Sequence, residues 1–419
     1  MSVDSSIAAQ AAPLRRWLSI VGIGEEGVEG LNAAARSLIE SAERVFGGAR
    51  HLVLAKPLIR GTAHPWPSPF DSTFAELLSY QGRPVCMLVS GDPFQYGAGS
   101  TLARFVAPDE TITIPAPSAY TLAAARLLWP LDQTTLLSFC GRSVDYLRPH
   151  LQPGARILAL SADQNSPGKV ARLLAELGFG SSSLTVLEAL GGPRERIRSV
   201  NAEAFALSDI APLNIVAIEV RATPGARILA RAPGLPDALF EHDGQITKRE
   251  IRALTLSALA PRRGEHLWDI GAGSGSVAIE WMLADASLTA AALERRPDRV
   301  ARILSNAVSF GVGNLEVVTG SAPEALAKLR QPNAVFVGGG ATTPGLIELL
   351  QGRLLPGGRL VVNTVSLESE AVVLAHQKRS GGSLTRIAIS HASPIGGENG
   401  RMSGWRPAMP ILQWLWEKP

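Results

Sequence analysis

The sequence predicts an α/β protein in two halves. The first half reads as a pair of α/β subdomains, the second as a doubly wound parallel sheet with an antiparallel edge. Three observations carry this reading. Strand-like apolar runs alternate with helix-period stretches along most of the chain. An Ala/Pro/Gly-rich stretch, ATPGARILARAPGLPDALFEHDG at 222–244, interrupts the alternation. Near the C-terminus the helices stop and two strand patterns follow, separated only by a long Gly-rich loop.

The opening residues 1–16, MSVDSSIAAQAAPLRR, lack an apolar h-region and read as a disordered lead, not a signal peptide. Strand candidates then fall at 17–23, 84–90, 111–115, 134–139, 155–161, 184–190 and 214–220, with helical patterns at 28–44, 71–80, 97–107, 118–128 and 165–178. A prolyl break in PAPSAY, 115–120, divides this region into subdomains of about 17–115 and 116–222. A linker over 223–240 leads to the second domain, 241–419. There the elements alternate regularly: helix 246–259, strand 266–270, helix 275–284, strand 288–293, helix 297–310, strand 315–319, helix 322–329, strand 334–337, helix 343–354, strand 358–364 and helix 367–380. Strand patterns at 384–390 and 410–418 close the chain, with the loop 391–409 between them.

Composition excludes several classes. Apolar residues at 46% and charged residues at 18% suit a folded globular chain. No apolar run is long enough to span a bilayer, so the expectation is no membrane partner and a cytoplasmic location. The two cysteines, Cys86 and Cys140, sit in strand-like runs without metal-ligand spacing and read as buried reduced thiols; no metal is expected. A net charge of +3, spread as scattered arginine, lacks the clustered basic strip of a nucleic-acid tail.

Two glycine loops carry the chemistry. LWDIGAGSGSVAIEW, 267–281, places Asp269 two residues before Gly271, with Gly273 and Gly275 following. An acid there would repel a pyrophosphate at the helix start, but suits the amine of an amino-acid-bearing cofactor. Glu294 closes the next strand, 23 residues after Gly271, where a carboxylate can receive two ribose hydroxyls. Ser321 and Ala322, after the third strand, are placed to flank an adenine. This combination resembles the class I S-adenosylmethionine (SAM) methyltransferases over nearly the whole second half. After AVFVGGG, 334–340, no Asp-Pro-Pro-Tyr-like acceptor set follows, which favours an electron-rich carbon as the methyl acceptor.

The earlier loop, WLSIVGIGEEG at 17–27, has dinucleotide spacing in Gly22, Gly24 and Gly27. Glu25, Glu26 and Glu29 crowd the place where a pyrophosphate would sit, so NAD and FAD are rejected there. Together with SGDPFQYG (90–97) and PSAYTLAAARLLWP (117–130), the loop resembles the tetrapyrrole methylase family, which binds SAM in a cleft between two α/β subdomains. The resemblance implies that Gly22, Gly24, Ser90, Gly91, Asp92, Ser118 and Ala119 meet the cofactor, and that Cys140-Gly141-Arg142 forms a turn near it. Gly-Asp-Pro is also a good turn by itself, and Tyr96 can equally be core.

One cofactor bound at two sites, one per domain, is therefore expected. The two resemblances together point to the decarboxylating methylases of cobalamin biosynthesis. They imply C-methylation of a precorrin at C5 and C15, loss of CO2 from the ring C acetate, and homo-oligomers through the C-terminal half. No strong general base stands out. Substrate-contact candidates are Asp92, Tyr96, Arg142, Lys248, Arg249, Asn363 and Arg406, with His391 and Trp405 in a possible lid. Thr247, just before a helix, is a candidate cap and cofactor contact. RNA methylation is the competing enzyme reading, and a regulatory SAM sensor the non-enzymatic one.

Overall fold

The computed structural model describes residues 16–67, 70, 72–395 and 402–419. All but the last residue of the expected lead, and the tip of the Gly-rich loop around 396–401, lie outside the described residues. Cα packing divides the chain into two compact units, 1–144 with 152–227, and 145–151 with 228–419.

The first unit holds two five-stranded sheets. β1 (Leu18–Ile23), β2 (Arg44–Gly47), β3 (Thr62–Pro65), β4 (Val85–Ser90) and β5 (Thr111–Ile114) form an all-parallel sheet in the order β3-β2-β4-β1-β5. β1 and β4 are apolar on both faces: Leu18, Ile20, Val85, Met87 and Val89 feed one core, Val21, Ile23, Cys86 and Leu88 the other. Burial on both faces is why these strands read as continuous apolar runs. β6 (Thr134–Ser138), β7 (Arg156–Leu160), β8 (Ser183–Glu188), β9 (Arg196–Asn201) and β10 (Asn214–Glu219) form a mixed sheet in the order β6-β7-β10-β8-β9.

Three of these strands depart from expectation. The pattern read as one helix over 28–44 is a four-residue 3-10 turn, Gly27–Gly30, then a helix, Ala33–Ser41, and then β2. β3 and β9 carried no apolar alternation because both are edge strands. β3 ends on Pro65 and β9 carries Arg196 and Arg198, which suit a sheet margin. The helices expected at 71–80 and 97–107 shrink to Ala75–Leu78 and Gly99–Leu102.

In the second unit, β11 (His266–Ile270), β12 (Thr289–Glu294), β13 (Glu316–Thr319), β14 (Ala334–Val337), β15 (Arg359–Thr364), β16 (Ser383–Ile387) and β19 (Ile411–Glu417) form one sheet, ordered β13-β12-β11-β14-β15-β19-β16. Six strands run in one direction, and β19 runs antiparallel between β15 and β16, so the antiparallel strand lies one in from the edge. Alternate residues of β11 and β12 feed the two faces: Leu267, Ala290 and Ala292 one, Trp268, Ile270, Ala291 and Leu293 the other. The order reverses between β11 and β14, which opens a crevice at the strands' carboxyl ends. The expected loop 391–409 is instead largely an antiparallel ribbon of β17 (Ser390–Ile395) and β18 (Met402–Pro407). No helix among the described residues is long and apolar enough to cross a membrane.

Candidate functional site

In the second unit a cavity of about 710 Å³ lies at the crevice between β11 and β14. Gly271, Gly273 and Gly275 all have positive φ, at 72°, 60° and 75°, so the loop turns through a conformation that side-chain-bearing residues seldom adopt. Gly271 and Gly273 border the cavity, whereas Gly275 faces Ile303 behind it. Glu294, at the end of β12, also borders the cavity. Its Oε2 accepts from Gly273 N at 3.0 Å and its Oε1 from Arg296 N at 3.0 Å. The carboxylate is thus fixed while keeping lone pairs for a diol. Ser321, Ala322, Thr247, Lys248 and Asn363 border the same cavity.

Three placements correct the sequence reading. Asp269 is 1% exposed and does not border the cavity. Its Oδ2 accepts from Ala278 N at 3.1 Å, filling an orphan donor in the first turn of the helix Ser276–Ala284, and its Oδ1 is buried without a partner. Burial pushes its pKa up to about 7, with Glu294 adding to the rise. Thr247 is not the cap: Lys248 holds that position, with no side-chain bond. Arg406 does not border the cavity; it pairs in register on the ribbon with His391, which does. Trp405 is largely exposed on that ribbon.

Asn363 is held by both ends of its amide. It donates to Thr255 Oγ1 at 2.8 Å and accepts from Gln413 Nε2 at 3.0 Å. The segment that carries Thr247 to the cavity is anchored by a buried ion pair. Arg252, fully buried, donates to Glu280 Oε1 at 2.5 Å, to Asp237 Oδ1 at 3.0 Å and to the carbonyls of Leu235 and Thr247. Glu280 in turn accepts from Gly234 N and Leu235 N.

In the first unit a cavity of about 500 Å³ is bordered by Gly24, Ser90, Gly91, Tyr96, Ser118, Ala119 and Cys140. Gly22 does not border it. A Cβ there would stand 2.0 Å from Gly91 O and 2.6 Å from Ala116 N, so this glycine lets two chain segments cross. Asp92 does not border the cavity either: its Oδ1 accepts from Phe94 N at 2.8 Å, the turn role. Tyr96 has φ 56° and donates to Leu136 O at 3.1 Å. Arg142 stands outside the lining, its guanidinium carbon 6.0 Å from the Tyr96 ring centroid. Cys86 is buried as expected, but Cys140 is exposed.

The element after Gly24 is a single 3-10 turn, too short to present a helix dipole to a phosphate. Glu25 borders the cavity and pairs with Arg50, and with Arg194 at 3.6 Å. Sequence reasoning missed Arg50 and His51, which follow the unrecognised β2 and border the cavity beside Ser90. It also missed Ser161 and Asn214, which border the cavity and whose Oγ and Oδ1 are buried without partners. A groove of about 590 Å³ outside the helix Ser166–Glu176 carries none of the motifs. Among the described residues no cluster of three His, Cys, Asp or Glu could hold a metal.

The chain is 55% identical to precorrin-6Y C(5,15)-methyltransferase [decarboxylating] of Sinorhizobium sp, over 99% of both chains. It belongs to that family. The enzyme of the same name from Mycobacterium tuberculosis is 40% identical, over 94% of this chain and 98% of its own. Residues 18–206 match the tetrapyrrole (corrin/porphyrin) methylases, and residues 238–418 match the precorrin methyltransferase domain. A cobalt-precorrin-6B C(15)-methyltransferase (decarboxylating) from Salmonella typhimurium is 37% identical over 39% of this chain and 86% of its own. The RNA reading is thereby overturned: full-length relatives are named for a precorrin.

Proposed function

We infer that this chain uses SAM to methylate a precorrin-6 macrocycle at C5 and C15 and removes CO2 from its ring C acetate, with one cofactor site in each unit. The observation that carries the two-site reading is the pair of cavities, each at the carboxyl ends of parallel strands beside a glycine loop. Both fit a polar cofactor. The second offers the left-handed loop and Glu294, the first Ser90, Gly91 and Ser118.

C15 methylation and decarboxylation are assigned to the second unit, and C5 methylation to the first. A relative about one unit in length carries the C15 and decarboxylating names together, which supports keeping those two steps in one unit. When bound, SAM supplies an electrophilic methyl group. Around it Glu294 would hold the ribose, and Asn363 and Lys248 would face the substrate, Lys248 as a partner for a macrocycle carboxylate. An enamine-like carbon is itself the nucleophile, so the residues act mainly by alignment.

Two measurements test this. Titration of the full chain with S-adenosylhomocysteine should saturate at two equivalents, and one equivalent would refute the two-site reading. Glu294→Ala should yield a product with the C5 methyl alone and the acetate intact. Loss of the C5 methyl instead would reverse the assignment.

A further inference from the structure

We propose that His51, acting through the Ser90 hydroxyl, accepts the proton that the macrocycle carbon loses after methylation in the first unit. The proposal rests on the assignment of a methylation to that unit.

β2 and β1 flank β4 in parallel, so their carboxyl ends open on one side. Each end delivers one part of a connected cluster: Glu25 after β1, Arg50 and His51 after β2, and Ser90 as the last residue of β4. Ser90 Oγ lies 2.8 Å from His51 Nε2 and accepts from an Arg50 N–H at 2.7 Å. The same Arg50 nitrogen is 3.0 Å from His51 Nε2. A guanidinium only donates, which assigns the lone pair to Nε2 and the hydrogen to Nδ1, a buried nitrogen without a hydrogen-bond partner. Ser90 Oγ already accepts from Arg50, which leaves its own hydrogen to point at Nε2, where it shares the one lone pair with the more distant Arg50 N–H. This is a hydroxyl polarised by a neutral imidazole. Among the described residues bordering the cavity, Glu25 and Arg50 are the other charged side chains. Burial, and then Arg50, lower the His51 pKa to about 4, so the ring is an empty acceptor near neutrality.

The chemistry calls for such an acceptor. A meso carbon carries one hydrogen. Its attack on the sulfonium methyl forms a C–C bond and breaks the C–S bond, releasing the thioether. The carbon then bears both hydrogen and methyl. Conjugation returns when the C–H electron pair moves into the ring system and the proton passes to Ser90 Oγ, whose own proton moves to His51 Nε2. No redox partner is needed. Glu25, paired with Arg50, offsets the second positive charge that forms beside that guanidinium.

The test uses the full chain, SAM and a precorrin-6 substrate deuterated at C5, with the C5 methyl counted by mass in single turnovers. His51→Gln should slow C5 methylation roughly 100- to 1,000-fold and expose a primary isotope effect larger than that of the natural chain. S-adenosylhomocysteine affinity should stay within about twofold. Ser90→Ala should give the same isotope signature, which keeps the test decisive if His51→Gln folds poorly. A His51→Gln rate within threefold of the natural chain overturns the proposal. So does a slow variant with no isotope effect, because it would mark His51 as structural. A natural chain that adds the C15 methyl but never the C5 methyl overturns the assignment itself, a failure separate from that of His51.

Discussion

Replacing Glu280 by Gln probes what holds the cavity of the second unit in place. The Glu280 carboxylate collects three donors: Gly234 N at 2.6 Å, Leu235 N at 2.9 Å and Arg252 Nε at 2.5 Å. An amide of the same shape offers one oxygen and one NH2, so at least one donor meets another donor. Arg252, fully buried, loses its main counter-charge and keeps Asp237, whose side chain is 27% exposed. Removing one partner of a buried ion pair costs about 3–5 kcal/mol, and the surviving Asp237 contact puts this case near 3 kcal/mol. For a unit of about 200 residues, each kcal/mol moves Tm by about 2–4 °C, so a drop of roughly 6–12 °C is expected. Thermal unfolding followed by the buried Trp268 and Trp281 reads it. Adding Arg252→Met should recover part of the loss, since no unpaired cation then remains buried. A drop below about 2 °C, with S-adenosylhomocysteine affinity unchanged, would refute the view that this pair anchors the segment reaching Thr247.

Three further outcomes are expected. Gly22→Ala should abolish C5 methylation and destabilise the first unit by about 3 kcal/mol, because the added methyl would meet backbone atoms on two sides; a C5 rate within twofold of the natural chain would contradict this. Asp269 has a folded pKa of about 7 against roughly 4 for an exposed carboxyl, so its contribution to stability is full at low pH and is lost as pH rises from about 4 to about 7; in the absence of cofactor, Asp269→Asn should flatten that decline and raise Tm at pH 8 by more than at pH 5, and equal shifts at the two pH values would count against a buried titrating acid. A thiol reagent should label one cysteine per native chain and two after denaturation, since Cys140 is exposed while Cys86 is buried with its pKa pushed up to about 12; protection of Cys140 by S-adenosylhomocysteine would support cofactor binding in the first cavity.

What the sequence disclosed follows from burial. The parallel strands β1, β4, β11, β12, β14 and β15 are covered on both faces and announce themselves as apolar runs. β2, only four residues long, was lost inside a helix-like pattern, and His51 was lost with it. Edge strands β3 and β9 lack the alternation that a buried face imposes. The chemistry of single residues was less legible than their position. Sequence position marks both Asp269 and Glu294 as cofactor contacts, yet the fold turns Asp269 inward to a helix N-terminus and leaves Glu294 at the cavity wall. Spacing along the chain fixes which strand end a residue occupies. It does not fix which side of the turn the side chain takes.

The two glycine loops look alike in sequence and differ in physics. At Gly271 the need is conformational: φ is +72°, and a Cβ would find its nearest neighbours at 3.3 Å. Alanine there carries about 1–2 kcal/mol of left-handed strain, and the Gly339 backbone must give by a few tenths of an ångström to admit it. At Gly22 the need is spatial: φ is not positive, and the obstacle is backbone at 2.0 Å, which cannot rotate away. Gly271→Ala should therefore leave a folded unit with weakened cofactor affinity, whereas Gly22→Ala should disturb the strand ends themselves. The comparison separates the two uses of glycine in one chain. If Gly271→Ala proved the more damaging to folding, cradle and crossing would have been assigned to the wrong loops.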